Sequence, residues 1–341
     1  MPISLNYIFK RAVLSVLVVV GAAVLSYLLL MLTPGDPAVK WAGNPRGPGA
    51  SRAIEIARQE LGLDRPLYVQ IASFTYNVLL GNLGVSIAYK VPVNQVILTG
   101  LTATLELLLF SYIIAVPIGI LLGLYSALKR GGLPDNFIQS FSIVLTSTPT
   151  FWLGTILLLA LSTTGSLPYG RVSTKLIIET GFTPITGLYL LDSLLQGNIL
   201  VFIDSLLRLA PPALAISVYP IGMLARVTRT LVAEALLEDY VRTAVAWGVR
   251  RSTIMVHFVV KPTIPPIVQV IGLSFIYSLI DAMVVETIFG REGLGSTLID
   301  ALHKVDFRVA LALIAYLAVF YIVVNTAVDL LQSTIDPRIR L

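Results

Sequence analysis

The residues that most often carry out chemistry in proteins are scarce in this sequence. The chain of 341 residues has two histidines, His257 and His303, and no cysteine. Without cysteine it forms no disulfide, thiolate metal site or cysteine nucleophile. Neither histidine has a partner at metal-ligand spacing, and no local motif suggests a Ser/His/Asp set. We therefore predict neither a catalytic nor a metal site.

One glycine-rich run has some of the features of a phosphate-binding loop. Residues 290–297 read Gly-Arg-Glu-Gly-Leu-Gly-Ser-Thr. A loop that holds ATP phosphates has the pattern G-x-x-x-x-G-K-[ST], and the lysine is missing here. The run also follows directly after an apolar segment, where a simple turn explains the glycines. The chain is therefore not expected to bind ATP.

Four acidic residues lie in or beside apolar segments: Glu106, Asp281, Glu286 and Asp329, the last near the inner end of its segment, where it can pair with a base. Because ionisable groups are costly in a membrane, such residues are candidates for a functional role. Glu106 lies near one end of its segment, where it can pair with a base. Asp281 has two open interpretations, lining a passage or making a structural hydrogen bond, and Glu286 lies just beyond it. We keep Asp281 and Glu286 as candidate pathway residues.

The elements that carry these acids are long and apolar. Hydrophobic residues make up 56% of the chain and charged residues 13%, and the mean hydropathy is +0.86. A soluble domain has about 25% charged residues, so a soluble enzyme, a disordered chain and a nucleic-acid binder are excluded. A membrane span needs about 20 mostly apolar residues. Six segments qualify: residues 12–32, 101–128, 137–161, 209–225, 262–285 and 309–331.

The charges indicate the orientation of these six spans. The first span is longer than a signal-peptide core, and residues 33–36 offer no small-x-small cleavage site, so we interpret it as an uncleaved anchor. With both termini inside, twelve Lys and Arg fall on each side, but the inner segments are short and carry five acids, against ten outside. Short loops report orientation better than long ones. We predict an all-α polytopic membrane protein with both termini inside.

The three longest segments that connect the spans are two outer ones and one inner one. The long outer loop 33–100 contains two predicted helices, 51–61 and 67–80, each followed by glycine. The outer loop 162–208 ends in an amphipathic stretch. The inner segment 226–261 has small and apolar residues at helical intervals: Leu231, Ala235, Val241, Ala244 and Val245. Gly248 then permits a turn with positive φ.

The inner segment resembles a known motif. Residues 238–248 read Glu-Asp-Tyr-Val-Arg-Thr-Ala-Val-Ala-Trp-Gly. The coupling loop of ABC importer permeases has Glu-Ala-Ala, three residues and Gly. Arg242 stands here in place of the Glu, followed by Thr243 and Ala244, as in the peptide and nickel subfamily. Read without the resemblance, the segment is an ordinary amphipathic inner loop.

Further motifs follow in the order expected of that family. Residues 61–70 resemble its first outer loop, and residues 81–86, Gly-Asn-Leu-Gly-Val-Ser, resemble its Gly-Asp-Leu-Gly-x-Ser. Ala-Thr-Leu-Glu-Leu at 103–107 resembles the opening of its second span. The last matches are residues 285–295, Asn325 with Asp329, and the tail 336–340. The sequence is therefore identified as a member of the dipeptide/oligopeptide/nickel family of ABC importer permeases, similar to the first permease of each pair.

This resemblance implies a type I ABC importer permease fold with a cytoplasmic coupling helix, in the cell membrane. It implies three kinds of protein partner: a second homologous permease, two ATPase subunits that bind ATP and Mg, and an extracytoplasmic substrate-binding protein. The chain itself would hold no cofactor and hydrolyse nothing. The residues implied in coupling are Glu238, Asp239, Tyr240, Val241, Arg242, Thr243, Ala244 and Gly248. Asp281 departs from the family, which usually has a small residue there.

Several alternatives stay open at this point. The resemblance favours di- or oligopeptides as cargo, but related permeases carry nickel, glutathione or oligosaccharides. A transporter driven by an ion gradient would need charges and broken helices at mid-membrane depth, for which Asp281 gives little support. An intramembrane enzyme would need paired acids or a Ser/His set, and none is apparent.

Overall fold

The computed structural model describes residues 5–31, 35–163 and 168–335. Residues 32–34 and the tail motif 336–340 lie outside the described ranges. The helices, in chain order, are α1 Leu5–Met31, α2 Pro37–Trp41, α3 Ala50–Glu60, α4 Leu67–Leu79, α5 Val93–Leu128, α6 Leu133–Ser147, α7 Thr150–Ser162, α8 Thr174–Thr180, α9 Tyr189–Leu195, α10 Ile199–Ala235, α11 Asp239–Ala246, α12 Arg251–Ile288, α13 Leu294–His303 and α14 Phe307–Ile335. The predicted helices at 51–61 and 67–80 are confirmed as α3 and α4.

Within the described ranges, five helices are long and apolar enough to cross a membrane. They are Phe9–Leu29 of α1, and α5, α10, α12 and α14. The pair α6 and α7 qualifies as a sixth crossing only when the two are counted together, because the chain bends by 91° between them. The all-helical, membrane-spanning class is as expected, and the structure allows five or six crossings.

The predicted third span, 137–161, is a broken helix. α6 ends at Ser147, Thr148 is extended with φ −79° and ψ 121°, and Pro149 precedes α7. A residue before proline is pushed out of the helical region by contact with the proline ring, and proline has no N–H to donate. The sequence Ser147-Thr148-Pro149 therefore ends one helix and starts another within a continuous apolar run.

Other spans extend beyond their apolar cores. The helix α5 already begins at Val93, inside the predicted outer loop 33–100. The helix α10 covers residues 199–235, whereas its apolar core was placed at 209–225. Its three internal prolines, Pro211, Pro212 and Pro220, do not end it, because neighbouring helices can satisfy the backbone groups that proline frees. Helix length here exceeds what hydropathy alone indicates.

The chain divides into two compact units. Of the described residues, the larger unit comprises those between 104 and 291 and those between 324 and 335. Its helices approach closely at glycines: a Cβ on Gly123 would lie 2.5 Å from the Ala225 carbonyl oxygen of α10, and one on Gly119 would lie 2.7 Å from Leu224. These two glycines form a G-x-x-x-G pair, the pattern that lets membrane helices pack backbone to backbone.

Of the described residues, the smaller unit comprises those between 5 and 103 and Glu292–Val323. Buried Asp306 precedes α14 and organises the loop after α4. Its carboxylate accepts hydrogen bonds from the Ser86 hydroxyl and from the Ala88 N–H, the latter at 2.9 Å. On α1, the Tyr27 hydroxyl donates to Gln70 of α4 at 2.7 Å. Side-chain hydrogen bonds thus hold the long segment between α1 and α5.

Candidate functional site

The predicted coupling residues lie on and beside α11, a helix of two turns. Glu238 precedes it in an extended conformation, and Asp239 begins the helix. Val241 and Ala244 face inward and are buried. They pack in a cluster whose other buried members come from the ends of α5 and α10 and from the start of α12: Ala127, Val232, Ala233, Ala235, Ile254 and Val259. We call this set the coupling cluster.

Gly248 ends α11 in the manner expected. Its φ is +73°. The Gly248 N–H donates to the Val245 carbonyl at 3.0 Å, and the Val249 N–H donates to the Ala244 carbonyl at 3.1 Å. Val249 also packs against the coupling cluster. This pair of bonds with an apolar contact is the Schellman ending, which needs a left-handed residue and therefore favours glycine.

The outer face of α11 exposes apolar, aromatic and charged side chains. Trp247 is 83% exposed, and Val245 and Tyr240 are exposed as well. Asp239 and Arg242 form an exposed ion pair at 3.5 Å, which contributes little to stability because water screens it. An exposed Trp beside apolar neighbours is typical of a protein interface.

The helical pattern seen in the sequence is divided between two helices. Leu231 and Ala235 belong to α10, whereas Val241 and Ala244 belong to α11. Val245 is 61% exposed and so lies on the outer face of α11 rather than on the buried one. The helical intervals are confirmed on each helix, but the five residues do not share one face, because the chain turns at residues 236–238.

Asp281 is half-buried on α12. The side chain of Thr150, the first residue of α7, lies beside its carboxylate. One turn earlier on α12, Ser278 is hydrogen-bonded to the Tyr112 hydroxyl at 2.9 Å. These contacts suit a polar position between helices, and a role of Asp281 in transport stays a prediction.

Glu286 is buried at 1% exposure near the end of α12. Its carboxylate accepts a hydrogen bond from the Thr104 hydroxyl at 2.5 Å. The Arg291 N–H donates to the Glu286 carbonyl at 2.8 Å. Glu286 therefore belongs to a set of buried charged side chains, and a role for it in the pathway stays a prediction.

Glu106 lies at the centre of this set. Its carboxylate accepts hydrogen bonds from Arg171 at 2.8 Å and from Arg291 at 3.4 Å, and its other oxygen accepts the Leu190 N–H at 2.8 Å. We call Glu106, Arg171, Glu286 and Arg291 the charge cluster. Its two acids and two bases balance, which is the condition under which charges can be buried.

The two arginines of the charge cluster differ in how well they are satisfied. Arg171 lies over the Tyr189 ring, 3.7 Å from its centre, and donates to the Gly187 carbonyl at 2.6 Å. Arg291 is 1% exposed, and its Nε and Nη1 have no partner among the described residues. Burial lowers the pKa of Arg291 to about 10, against the opposing influence of Glu106, so it stays charged at neutral pH. The cluster joins the loop after α7 to the first half of α5 and to the end of α12.

A second buried acid shapes the same loop. Asp192 of α9 is fully buried, and its carboxylate accepts bonds from the N–H groups of Ile185, Thr186 and Gly187 and from the Thr186 hydroxyl, at 2.7 to 3.1 Å. Burial alone raises the pKa of Asp192, but these donors outweigh it, and the net pKa lies below the usual value.

Sequence reasoning missed Trp247, Arg171, Arg291 and Asp192. A tryptophan in a polar inner loop was the available signal for the first. Arg171 and Arg291 meet Glu106 across 65 and 185 residues, and no local spacing reveals such pairs. Within residues 5–31, 35–163 and 168–335, no group of three or more His, Cys, Asp or Glu could hold a metal.

Two family sequence models match the chain. The model for the binding-protein-dependent transport system inner membrane component matches residues 119–341. The model for the N-terminal part of binding-protein-dependent transport system membrane components matches residues 4–107. Between them they cover nearly the whole chain, including the coupling cluster and the charge cluster.

Several relatives are similar along almost their full length. The dipeptide transport system permease protein DppB of Escherichia coli (strain K12) is 34% identical over 338 residues, which is 98% of this chain and 99% of that protein. The di/tripeptide transport system permease protein DppB of Pseudomonas aeruginosa (strain UCBPP-PA14) is 36% identical over 98% of this chain and 99% of its own length. The probable D,D-dipeptide transport system permease protein DdpB of E. coli K12 is 37% identical over 95% and 94%.

Proposed function

Because the chain belongs to the family of binding-protein-dependent transport system inner membrane components, it is a permease subunit of an ABC importer, and we propose that its cargo is a short peptide. The relatives that match over almost their full length are named for dipeptides, di- or tripeptides and D,D-dipeptides. Nickel, glutathione or an oligosaccharide is the alternative cargo. The substrate-binding protein selects the cargo in such systems. Identifying the ligand of that protein therefore decides between these cargoes.

We propose that α11 is the coupling helix and docks in a cleft of a partner ATPase. The observation that carries this proposal is the division of α11 into two faces. Val241 and Ala244 anchor it in the coupling cluster, whereas Tyr240, Val245 and Trp247 are exposed. A helix held firmly on one side and apolar on the other can transmit a push without deforming. ATP and Mg would then be bound by the partner, and this chain would be non-catalytic.

The same proposal fixes an orientation and a set of partners. With α11 on the cytoplasmic side and the pair α6 and α7 as one crossing, both termini are cytoplasmic, and the segment between α1 and α5 faces the substrate-binding protein. A second homologous permease completes the passage, and two ATPase subunits drive it. The short basic inner segments support this orientation.

The proposal is tested by purifying the complex and then measuring transport with it. The tagged chain is extracted gently from its native membrane, and the proteins that come with it are identified by mass spectrometry. We expect a second permease and ATPases with a G-x-x-x-x-G-K-[ST] loop. Reconstituted vesicles should take up a dipeptide only with ATP inside and binding protein outside. Uptake driven by an ion gradient without ATP would instead support a secondary transporter.

Trp247→Ala tests the docking face directly. Truncating a buried interface tryptophan often costs 2 kcal/mol or more in binding, so we expect loss of ATPase from the purified complex. Trp152 is a matched control, since it is also exposed but lies on α7, far along the chain from α11. If Trp247→Ala retains ATPases and Trp152→Ala loses them, α11 is not the docking element.

A further inference from the structure

The smaller unit contains a cavity of ≈ 320 Å³ that the transport proposal does not use. Its walls come from the end of α1, from α4 with the turns on either side of it, and from the first turn of α14. The longer polar side chains that line it include Arg65, Gln70, Asn77, Asn82 and Arg308. The volume suits a small polar group rather than a whole lipid or a long peptide.

The charge of the cavity has one sign. Arg65 and Arg308 line it, and no aspartate or glutamate does. In the part of the chain that the structure describes, neither arginine forms an ion pair. Arg308 donates one bond, from Nη1 to the Val85 carbonyl at 3.2 Å. Both guanidinium groups therefore retain donors for an anion.

The lining disfavours a free peptide as the occupant. A dipeptide carries an ammonium group as well as a carboxylate, and the ammonium would need an acid that the lining lacks. A phosphate group needs only donors. Arginine holds phosphate oxygens with two parallel N–H bonds, and the amides of Asn77 and Asn82 add neutral donors.

The position of the cavity favours a phosphate that belongs to a lipid. Tyr27 lies at the end of the apolar stretch Phe9–Leu29, and Arg308 lies in the first turn of the spanning helix α14. Both therefore lie close to where an apolar span meets water. Near Tyr27 on α1, Leu25 and Leu29 are 63% and 65% exposed and offer an apolar surface to acyl chains.

We propose that this cavity binds the headgroup phosphate of an anionic phospholipid, held by Arg65 and Arg308, with the acyl chains along α1. Basic pockets at the ends of membrane helices are a general means of recognising lipid headgroups. Such a lipid would fasten α1 to α4 and α14 within the smaller unit. The proposal concerns binding alone and does not depend on the cargo.

The test is a titration of the full chain, purified in detergent, with phosphatidylglycerol and with phosphatidylcholine, followed by native mass spectrometry. We expect tighter binding of phosphatidylglycerol. Arg65→Gln and Arg308→Gln should each weaken it about fivefold, and the double variant by about twentyfold or more. Arg46→Gln is the matched control, because Arg46 is exposed in the same unit but does not line the cavity.

A second variant guards against misfolding of the arginine variants. Asn77→Asp keeps the size of the side chain and places a negative charge in the lining, so it should remove the preference for phosphatidylglycerol while the thermal midpoint stays unchanged. Equal binding of both lipids by the unaltered chain, or an equal loss in Arg46→Gln, would overturn the proposal.

Two soluble probes identify the source of the anion. Glycerol phosphate should displace phosphatidylglycerol only at much higher concentration, because it has no acyl chains to place along α1. If glycerol phosphate binds as tightly as the lipid, the ligand is a free phosphate and the lipid assignment is wrong. If dialanine displaces the lipid, the cavity is a peptide site and the proposal fails.

Discussion

Gly248 gives the sharpest test of the coupling proposal. There is space for a side chain at this position, but the backbone adopts a left-handed conformation that most residues disfavour. No atom lies within 4 Å of a Cβ built there, and its φ is +73°. A substitution therefore meets no steric obstacle from neighbours. The only penalty is the left-handed conformation, and that penalty depends on residue type in a known order.

The expected magnitudes follow from that order. Alanine in the left-handed region costs about 1 kcal/mol relative to glycine, a β-branched residue about 2 kcal/mol, and asparagine less than either. If the turn must be native for coupling, about 2 kcal/mol reduces the competent population by roughly thirtyfold. Uptake should therefore fall in the order Gly248, Asn, Ala, Val, with the valine variant close to inactive.

The assay is ATP-driven peptide uptake by the reconstituted complex, normalised to the amount of chain inserted in the membrane. Gly131→Val is the control, since Gly131 has φ +76° and also has no atom within 4 Å of a Cβ. It carries the same backbone penalty in a turn outside α11. Its uptake should stay near that of the unaltered complex.

Two results would refute the reasoning. Full uptake by Gly248→Val would mean that the Schellman ending of α11 is not needed for coupling. An equal loss in Gly131→Val would mean that a strained turn anywhere lowers uptake, so Gly248 would have no special role. A graded loss in Gly248 variants that retain their thermal midpoints would support coupling through α11.

Three further predictions concern stability, measured as thermal unfolding of the detergent-purified chain. Gly123→Ala should destabilise by about 1–3 kcal/mol because its Cβ would press on the α10 backbone, whereas Gly21→Ala, with open space around it, should be neutral or stabilising; equal effects would contradict the close packing. Glu106→Gln should cost about 3–5 kcal/mol, because it leaves Arg291 with less compensation, and a loss below 1 kcal/mol would mean that the charge cluster is solvated. The pKa of Asp192 is lower in the folded chain than in the unfolded one, so its contribution is fully present above the unfolded value of about 3.9 and is lost as the pH falls through the folded value. Asp192→Asn should therefore be less stable at pH 7 and lose less stability on acidification; an unchanged acid profile would contradict this.

The sequence indicated the elements better than their ends. Apolar runs located every long helix, and the glycines at 62, 81 and 248 ended the short ones as expected. The start of α5 at Val93 could not be predicted from hydropathy, because its first turn lies before the apolar run that begins at residue 101. The bend at Pro149 had a local signal, which is a proline after two hydroxyl residues. The apolar composition of residues 137–161 nevertheless favoured one continuous span.

The candidate sites divide in the same way. The segment of α11 could be singled out because the resemblance rests on a contiguous motif with a fixed glycine, and its role in coupling stays a prediction. The charge cluster could not be singled out, because Glu106 meets Arg171 and Arg291 only after the chain has folded. Local spacing in the sequence reveals a site when one element supplies all of its residues. When three elements supply them, the tertiary structure is needed to find the site.

The helix α12 physically connects the coupling cluster with the charge cluster. It runs from Arg251 to Ile288, about 57 Å at 1.5 Å per residue. Ile254 and Val259 belong to the coupling cluster at its start, and Glu286 to the charge cluster near its end. Residues 254–260 form a wider π-helical turn next to the coupling cluster, and such turns are common at functional positions. A displacement of α11 would therefore act first on this turn and then, through a continuous helix, on the buried charges. If α11 couples the binding of ATP to the binding of cargo, the coupling is reciprocal, so ATP should change the affinity for cargo by the same factor as cargo changes the affinity for ATP.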